Sequence, residues 1–460
     1  MLVAGRPYFA MVDTMFTAAP PGTHVHPEPT GQRVALLPPS AAAGATDSAV
    51  DHSESGRWGS RLKRQRGTFA VEYRVECAAS SIEREALDLA AEQTVELPRD
   101  LVPDAVAKTV IGHIVSIDPA GATAFRVRIL YPVATTGGEF TQFLNVVFGN
   151  TSLQPNVRVE DVDVDPAMLE VAGPRFGVSG VRRLLHTESR PLLATALKPM
   201  GLGVEELASL AYRFARGGID IIKDDHGLTD QSMAPFGQRV KRCADAVQRA
   251  NHETHGHSLY IANVSADFDG IMARAALARD AGAGGLMAAP GLIGFSAFRA
   301  LAARHDLGLP MVSHPAFLGG WLTSPRTGIA HRVLLGTLQR LAGADMVIFP
   351  HVSGRFSFSL ADCKDLARGL VEPREGLGSA LPVPAGGMIL SRVSEIVGTY
   401  GPDVVLLIGG DLFRQGPDLE GTARRFRRIV DECFHQTSSD CLASLDTPSA
   451  PRATVGSIDT

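Results

Sequence analysis

The segment Gly217-Gly218-Ile219-Asp220-Ile221-Ile222-Lys223-Asp224-Asp225-His226 puts an amine, two carboxylates and an imidazole at the end of a short apolar run. Strand alternation would set Lys223 and Asp225 on one side and Asp224 on the other, until the chain turns at Gly227. Asp225 offers a hard oxygen donor for a divalent cation and His226 a nitrogen donor. Lys223 as an ammonium cannot ligate metal; it does so only when neutral, or when carbon dioxide has converted it to an anionic carbamate. The competing reading of these four residues is a solvated charged loop. A second lysine, Lys198 in Ala196-Leu197-Lys198-Pro199-Met200-Gly201-Leu202, also follows an apolar run, and Pro199 keeps it extended. Desolvated near a metal, such a lysine has a lowered pKa and serves as a general base; away from one it is a solvent-facing side chain.

Four more run ends carry candidates: Asn263 and Ser265, His314, Ala385-Gly386-Gly387, and Gly409-Gly410-Asp411. Glycine pairs after the last two runs let backbone N–H groups close on an anion, the usual construction of a barrel phosphate site. Either pair alone reads as a turn, and His314 alone as a hydrogen-bonded structural histidine. In Ser353-Gly354-Arg355-Phe356-Ser357 a glycine hinge precedes a cation, which suits a lid over a bound anion. A surface arginine is the competing reading there.

What must position these residues is a set of eight apolar runs: 192–197, 219–222, 259–264, 284–288, 310–313, 345–349, 381–384 and 404–408. Amphipathic helical stretches such as 204–216, 271–281 and 332–342 separate them. Eight strand–helix units in about 250 residues predict a (β/α)8 barrel, whose strand ends share one face and so gather residues distant in sequence. A doubly wound open sheet is the structural alternative. No GxGxxG or P-loop follows any run, which removes the usual dinucleotide and nucleoside triphosphate readings.

Ahead of the barrel, over residues 66–172, strands at 69–75, 109–117, 123–131 and 143–148 with a helix at 81–93 predict a small α+β domain. Residues 1–65 are rich in Ala, Pro, Gly, Ser and Thr and read as a disordered extension; the barrel occupies 173–435 and a flexible tail 436–460. With 45% hydrophobic and 20% charged residues the chain has an ordinary globular balance, and a formal net charge of -5 argues against a nucleic-acid surface. Five scattered cysteines without CxxC spacing suggest neither zinc nor a disulfide framework, so a reducing cytoplasm is expected. No stretch approaches the roughly 18 consecutive apolar residues of a membrane span.

Taken in order, these segments resemble the large subunit of RuBisCO and, more closely, the RuBisCO-like (form IV) proteins, from about Phe69 to Arg428. The resemblance implies a ferredoxin-like α+β domain followed by the catalytic barrel. It implies that Lys198 is the proton-abstracting base, that Lys223 is carbamylated to bind Mg2+, and that Asp225 is a metal ligand, with His226 where the carboxylase has a glutamate. His314 falls on a catalytic histidine and Arg355 on the lysine of the mobile loop. Gly386, Gly387, Gly409 and Gly410 fall on the cradle for one phosphate, with Asn263 beside the site. Glu92 in Ala91-Glu92-Gln93-Thr94 matches a glutamate that reaches the neighbouring subunit's site, and Asn145 lies one position from an active-site asparagine. Shared sites imply at least a homodimer.

The departures are as informative. Pro315 stands where the carboxylase has an arginine for its second phosphate, Ile348 where it has a histidine, and Met200 where it has a catalytic lysine. Two lost charge-assisted partners, at about 1.5–3 kcal/mol each, remove the second phosphate. Ribulose bisphosphate carboxylation is rejected, and a sugar or sugar acid with one phosphate is expected. Among RuBisCO-like proteins, Lys-Asp-Asp-His-Gly-Leu with Ala-Leu-Lys-Pro-Met-Gly-Leu looks most like the transcarboxylase/hydrolases of 3-oxo-isoapionate 4-phosphate, which yield 3-phosphoglycerate and glycolate. The alternatives are a methylthioribulose-phosphate isomerase or enolase of methionine salvage, and a non-catalytic sugar-phosphate-binding homologue.

Overall fold

Alternation in Phe69-Ala70-Val71-Glu72-Tyr73-Arg74-Val75 builds the central strand of the first domain, because its odd-numbered side chains are all buried and face one core. The computed structural model describes residues 66–445 apart from Ser353 and Ser357, with side chains described through Phe434. The expected extension over 1–65 lies outside the described residues. The first domain comprises β1 (Thr68–Glu76), α1 (Ile82–Glu92), α2 (Asp104–Val110), β2 (His113–Pro119), β3 (Ala124–Pro132), α3 (Phe140–Phe148) and β4 (Val157–Asp163). β3 and β4 flank β1, and β2 lies outside β3, all antiparallel. Phe143 and Val147 of α3 and Ala86 and Leu89 of α1 belong to the same core as Phe69 and Tyr73.

Two sequence expectations change here. Residues 109–117 are not one strand: α2 runs to Val110 and β2 starts at His113. Between them a Cβ on Gly112 would stand 2.6 Å from the Tyr131 ring, so the chain passes where no side chain fits. Residues 143–148 are the end of α3 rather than a strand. Phe140, Phe143 and Val147 recur at helical spacing and bury one face, a pattern that a short apolar run conceals.

After α4 (Gly177–Leu184) come β5 (Leu192–Leu197), α5 (Val204–Arg216), β6 (Ile221–Asp224), α6 (Phe236–Thr254), β7 (Leu259–Asn263), α7 (Phe268–Asp280) and β8 (Gly285–Ala288). Then follow α8 (Pro290–Ile293), α9 (Phe295–Ala302), β9 (Met311–Ser313), β10 (Gly328–Ile329), α10 (Leu338–Leu341), β11 (Met346–Pro350), α11 (Leu360–Val371) and β12 (Leu381–Ala385). The chain closes with α12 (Val393–Tyr400), β13 (Val405–Ile408), α13 (Gly410–Arg414) and α14 (Leu419–Leu445). The last helix therefore continues past residue 435, where a tail was expected. The expected helix over 332–342 begins as a π turn, Val333–Thr337, before α10.

β5 to β9 and β11 to β13 close into an eight-stranded barrel with parallel pairing throughout, which excludes the open doubly wound sheet. Leu192, Ile221, Ile261, Met287, Val312, Met346, Leu381 and Val405 fill its interior, one from each strand, and Val181 and Leu185 of α4 join that cluster. Each such burial is worth roughly 1.5–3 kcal/mol. β10, in the segment after β9, leaves the barrel and pairs parallel with β4 as a fifth strand of the first sheet. No helix among the described residues is long and apolar enough to cross a membrane.

Candidate active site

Strand register brings the two lysine motifs together. β5 and β6 pair Ala196 with Lys223 and Leu197 with Asp224, so the next step sets Lys198 beside Asp225. Lys198 Nζ lies 3.0 Å from Asp225 Oδ1 and His226 Nδ1 3.6 Å from the same oxygen. Burial alone would raise the Asp225 carboxyl, but His226, Lys198 and the Lys223 charge outweigh it and hold it well below the usual carboxylate range. His226 stacks on His314 from across the barrel mouth, with ring centroids 4.2 Å apart and planes 14° from parallel. Burial, followed by the nearby Lys223 and His226, pushes His314 down to about 2, so its imidazole is neutral at physiological pH. Its Nδ1 accepts from the Ala316 N–H at 3.2 Å, which leaves the proton on Nε2.

Lys223 is 3% exposed, and its Nζ donates to the Asp224 carbonyl at 2.6 Å. Desolvation lowers its pKa to about 8 against the opposing pull of Asp225 and Asp224. A buried amine that is partly neutral near pH 8 is the form that carbon dioxide can convert to a carbamate, because only the unprotonated amine attacks it. The donor set thus fits magnesium once Lys223 is carbamylated: a carbamate oxygen, Asp225 and His226 would hold the ion. Among the described residues, no group of three unmodified His, Cys, Asp or Glu side chains is placed to hold a metal.

Asp224 points the other way and is structural. It is fully buried and accepts from Tyr260 Oη at 2.7 Å, from the Asn263 N–H at 3.0 Å, and from Arg239 Nη2 at 3.3 Å. Arg239, equally buried, also donates to the carbonyls of Ala234 (2.7 Å) and Thr229 (2.8 Å), tying the loop after β6 to the strand. Sequence reasoning missed this arginine. The available signal was a cation on the buried stripe of α6, between Phe236 and Val240 and in phase with Cys243.

Asn263, expected beside the site, is held by contacts within the protein. It is 1% exposed, and its Nδ2 donates to the carbonyls of His226 (3.0 Å) and Leu228 (2.9 Å) while Oδ1 accepts from the Ser265 N–H. With both amide hydrogens engaged, it braces the loop that presents His226. Glu92 and Asn145 lie in the first domain: Glu92, at the end of α1, accepts from Asn150 Nδ2 at 3.2 Å, and Asn145 is exposed on α3.

On the cradle side, Gly386 and Gly387 both take positive φ (+88° and +68°), and a Cβ on Gly409 or Gly410 would meet nothing within 4 Å. Such side-chain-free backbone is what an anion cradle requires. A Cβ on Gly386 would stand 3.4 Å from Gly354 Cα, so the hinge of the Arg355 loop rests on the cradle; Arg355 itself is exposed, its guanidinium 5.8 Å from the Phe356 ring. His351, buried at the base of that loop, accepts from the Gly354 N–H and meets Tyr400 Oη at 2.8 Å. Of the departures, Ile348 belongs to the apolar interior cluster, Pro315 is half-buried beside His314, and Met200 is exposed. A Cβ on Gly227 would stand 2.8 Å from Met200 Cε, which places that methyl over the turn following Asp225.

The sequence matches the family profile of the ribulose bisphosphate carboxylase large chain, catalytic domain, over residues 177–439. It is 42% identical to 5-methylthioribulose-1-phosphate isomerase of Rhodospirillum rubrum, across 74% of this chain and 90% of that protein. It is 32% identical to 2,3-diketo-5-methylthiopentyl-1-phosphate enolase of Geobacillus kaustophilus, across 66% of this chain and 74% of that one. The fold superposes on the crystal structure of a Rubisco-like protein from Rhodopseudomonas palustris with a TM-score of 0.73 and 38% identity, covering 80% of this chain and 99% of the other.

Proposed function

We propose, on the premise that this chain belongs to the ribulose bisphosphate carboxylase large-chain family, that it is a sugar-phosphate isomerase or enolase working through an enediolate on a keto-sugar with one phosphate, 5-methylthioribulose 1-phosphate first among candidates. The observation that carries the reading is the convergence of Lys198, Asp225, His226 and His314 at the barrel mouth, where glycine pairs also follow β12 and β13. Two relatives named for methylthio-sugar phosphates support this substrate class.

The phosphate rests on the backbone N–H groups around Gly386, Gly387, Gly409 and Gly410, and the Arg355 loop folds over it to exclude water. As a free amine, Lys198 Nζ takes a proton from the carbinol carbon beside the substrate carbonyl and returns it to the former carbonyl carbon, while the hydroxyl proton of the first carbon passes to the former carbonyl oxygen, so the isomerisation balances without a co-reactant. His314 donates from Nε2 to the oxygen that gains negative charge, a role open to a neutral imidazole whose other nitrogen is already an acceptor. Lys223 once carbamylated, with Asp225 and His226, would hold a Mg2+ ion that would supply Lewis-acid polarisation of the carbonyl. Glu92 and Asn145 reach the site of a second copy, which makes the working unit a homodimer or a higher assembly. A cytoplasmic location accords with a phosphorylated substrate.

The transcarboxylase/hydrolase of 3-oxo-isoapionate 4-phosphate is the second reading, kept for its likeness in the two lysine motifs, and it yields first place because the relatives are named as isomerase and enolase. Phosphorus and proton NMR of the protein with magnesium and bicarbonate decides between them. Turnover of 5-methylthioribulose 1-phosphate supports the first, and phosphoglycerate with glycolate from the other substrate supports the second. Binding of both without turnover, in the parent and in Lys223→Ala alike, would leave the non-catalytic homologue.

A further inference from the structure

The inward-facing side chains at the barrel mouth divide by chemistry. Lys198, Lys223, Asp225 and His314 come from β5, β6 and β9, or the residue following them. The next strands round, β11 and β12, present Ile348 and Val383, paired in register and both part of the apolar interior cluster. β9 and β11 pair Val312 with Met346 and Ser313 with Val347, so the following step sets Ile348 next to His314. His314 thus stands on the border between the reacting sector and an apolar one.

The loop that His314 opens adds to the apolar side. Pro315 and Leu318 close a turn (Leu318 N–H to Pro315 O, 3.1 Å) in which Phe317 takes φ +71°, a conformation that a bulky side chain rarely adopts. The turn is pressed against α8, since a Cβ on Gly291 would lie 2.5 Å from the Ala316 carbonyl. Held this way, Phe317 is 82% exposed. A backbone held in a disfavoured region to present an exposed aromatic ring is the kind of outlier from which function is inferred.

We propose that Pro315, Phe317 and Ile348 form an apolar subsite that takes the non-phosphorylated end of the substrate and sets a preference for thioether- or alkyl-ended sugar phosphates over hydroxyl-ended ones. This deepens the isomerase/enolase reading and rests on it for the orientation of the substrate. With the phosphate in the glycine cradle and the carbonyl between Asp225 and His314, the remaining carbons extend past His314 onto this surface. The side chains of Pro315, Phe317 and Ile348 carry no hydrogen-bonding group, so a terminal hydroxyl packed against them would lose its water without replacement.

Calorimetry with two alditols, 5-methylthioribitol 1-phosphate and ribitol 1-phosphate, tests this, because neither has a carbonyl and neither can react. The methylthio ligand is expected to bind about tenfold tighter, and the ratio to fall to about threefold or less in Phe317→Ser and in Ile348→Thr. A parent ratio within about twofold, or a ratio unchanged in both variants, overturns the subsite. So does a Phe317→Ser variant that dissociates the assembly while keeping the ratio, which would assign that ring to a contact between copies. A tenfold ratio with no turnover of the keto-sugar overturns the proposed reaction and leaves the subsite standing; turnover without discrimination does the reverse.

Discussion

Arg239→Met removes the cation facing Asp224, and its cost follows from the burial of both partners. Each is 0% exposed, so solvent screening does not reduce the interaction. At 3.3 Å and an effective dielectric of about 20 the Coulomb attraction is about 5 kcal/mol. Measured losses on removing one partner of a buried pair are about 3–5 kcal/mol, because the survivor keeps its desolvation cost. Tyr260 Oη and the Asn263 N–H remain on Asp224 and soften the loss, whereas the Ala234 and Thr229 carbonyls lose their donor. The expected destabilisation is about 4 kcal/mol, a fall in Tm of roughly 8 °C at about 2 °C per kcal/mol for a chain of this size. Urea titration and calorimetry of the single variant, and of Asp224→Asn/Arg239→Met, check the reasoning. The double variant should lose only about half as much, since no buried carboxylate is left unpaired. A single variant within about 1 kcal/mol of the parent, or a double variant no more stable than the single, would refute the electrostatic account.

Asn263→Ala frees the carbonyls of His226 and Leu228; magnesium affinity, followed by titration calorimetry with bicarbonate present, should fall about 10- to 100-fold as the ligand loop loses its brace. Lys223 sits near 8 in the fold, below its unfolded value, so the unfolded chain holds the extra proton between the two. Its destabilising effect is therefore complete below about 8 and is relieved as pH rises toward the ordinary lysine range, a slope that Lys223→Met should flatten in denaturant midpoints measured across that window. Carbamate trapping at the Lys223 peptide should increase through the same pH of about 8 and vanish in the variant. The ring nitrogen shifts of His314 should stay flat from about pH 5 to about pH 8, the range in which an unperturbed imidazole titrates; a midpoint inside it would show that burial does not hold this ring neutral.

The barrel was legible in the sequence because its strands are short apolar runs separated by turn residues and amphipathic helices. The bounds of β6 were not. Its run begins at Ile219, yet paired residues start at Ile221; the Asp220 carbonyl still accepts from the Leu259 N–H, while its carboxylate accepts from the Leu193 N–H, Arg190 and Arg427. Lys198, Asp225, His226 and His314 were readable as a group once the strand ends shared a face. What Asn263 does was not readable, because an amide at a strand end looks the same whether its hydrogens face a ligand or a neighbouring loop. α3 was misjudged because the apolar run over 143–148 conceals the helical spacing of Phe140, Phe143 and Val147, and the Asp224–Arg239 pair joins residues whose proximity depends on how α6 packs.

β10 has a consequence for how such a protein can be divided. The segment from His314 to Ile329 starts at the barrel mouth and ends hydrogen-bonded to β4. Arg158 donates to the Ser324 and Thr327 carbonyls, Thr327 to the Gln154 carbonyl, and Arg326 pairs with Glu76 at 2.7 Å. A gene fragment encoding residues 66–172 would therefore yield a sheet lacking its last strand, with a bare β4 edge open to self-association. A barrel expressed alone would carry a tether with no sheet to join, leading directly back to its histidine. Recombination between relatives at the domain boundary near 172 would pair a β4 from one parent with a β10 from the other, so chimaeras should tolerate exchange only when the 315–330 segment travels with the first domain.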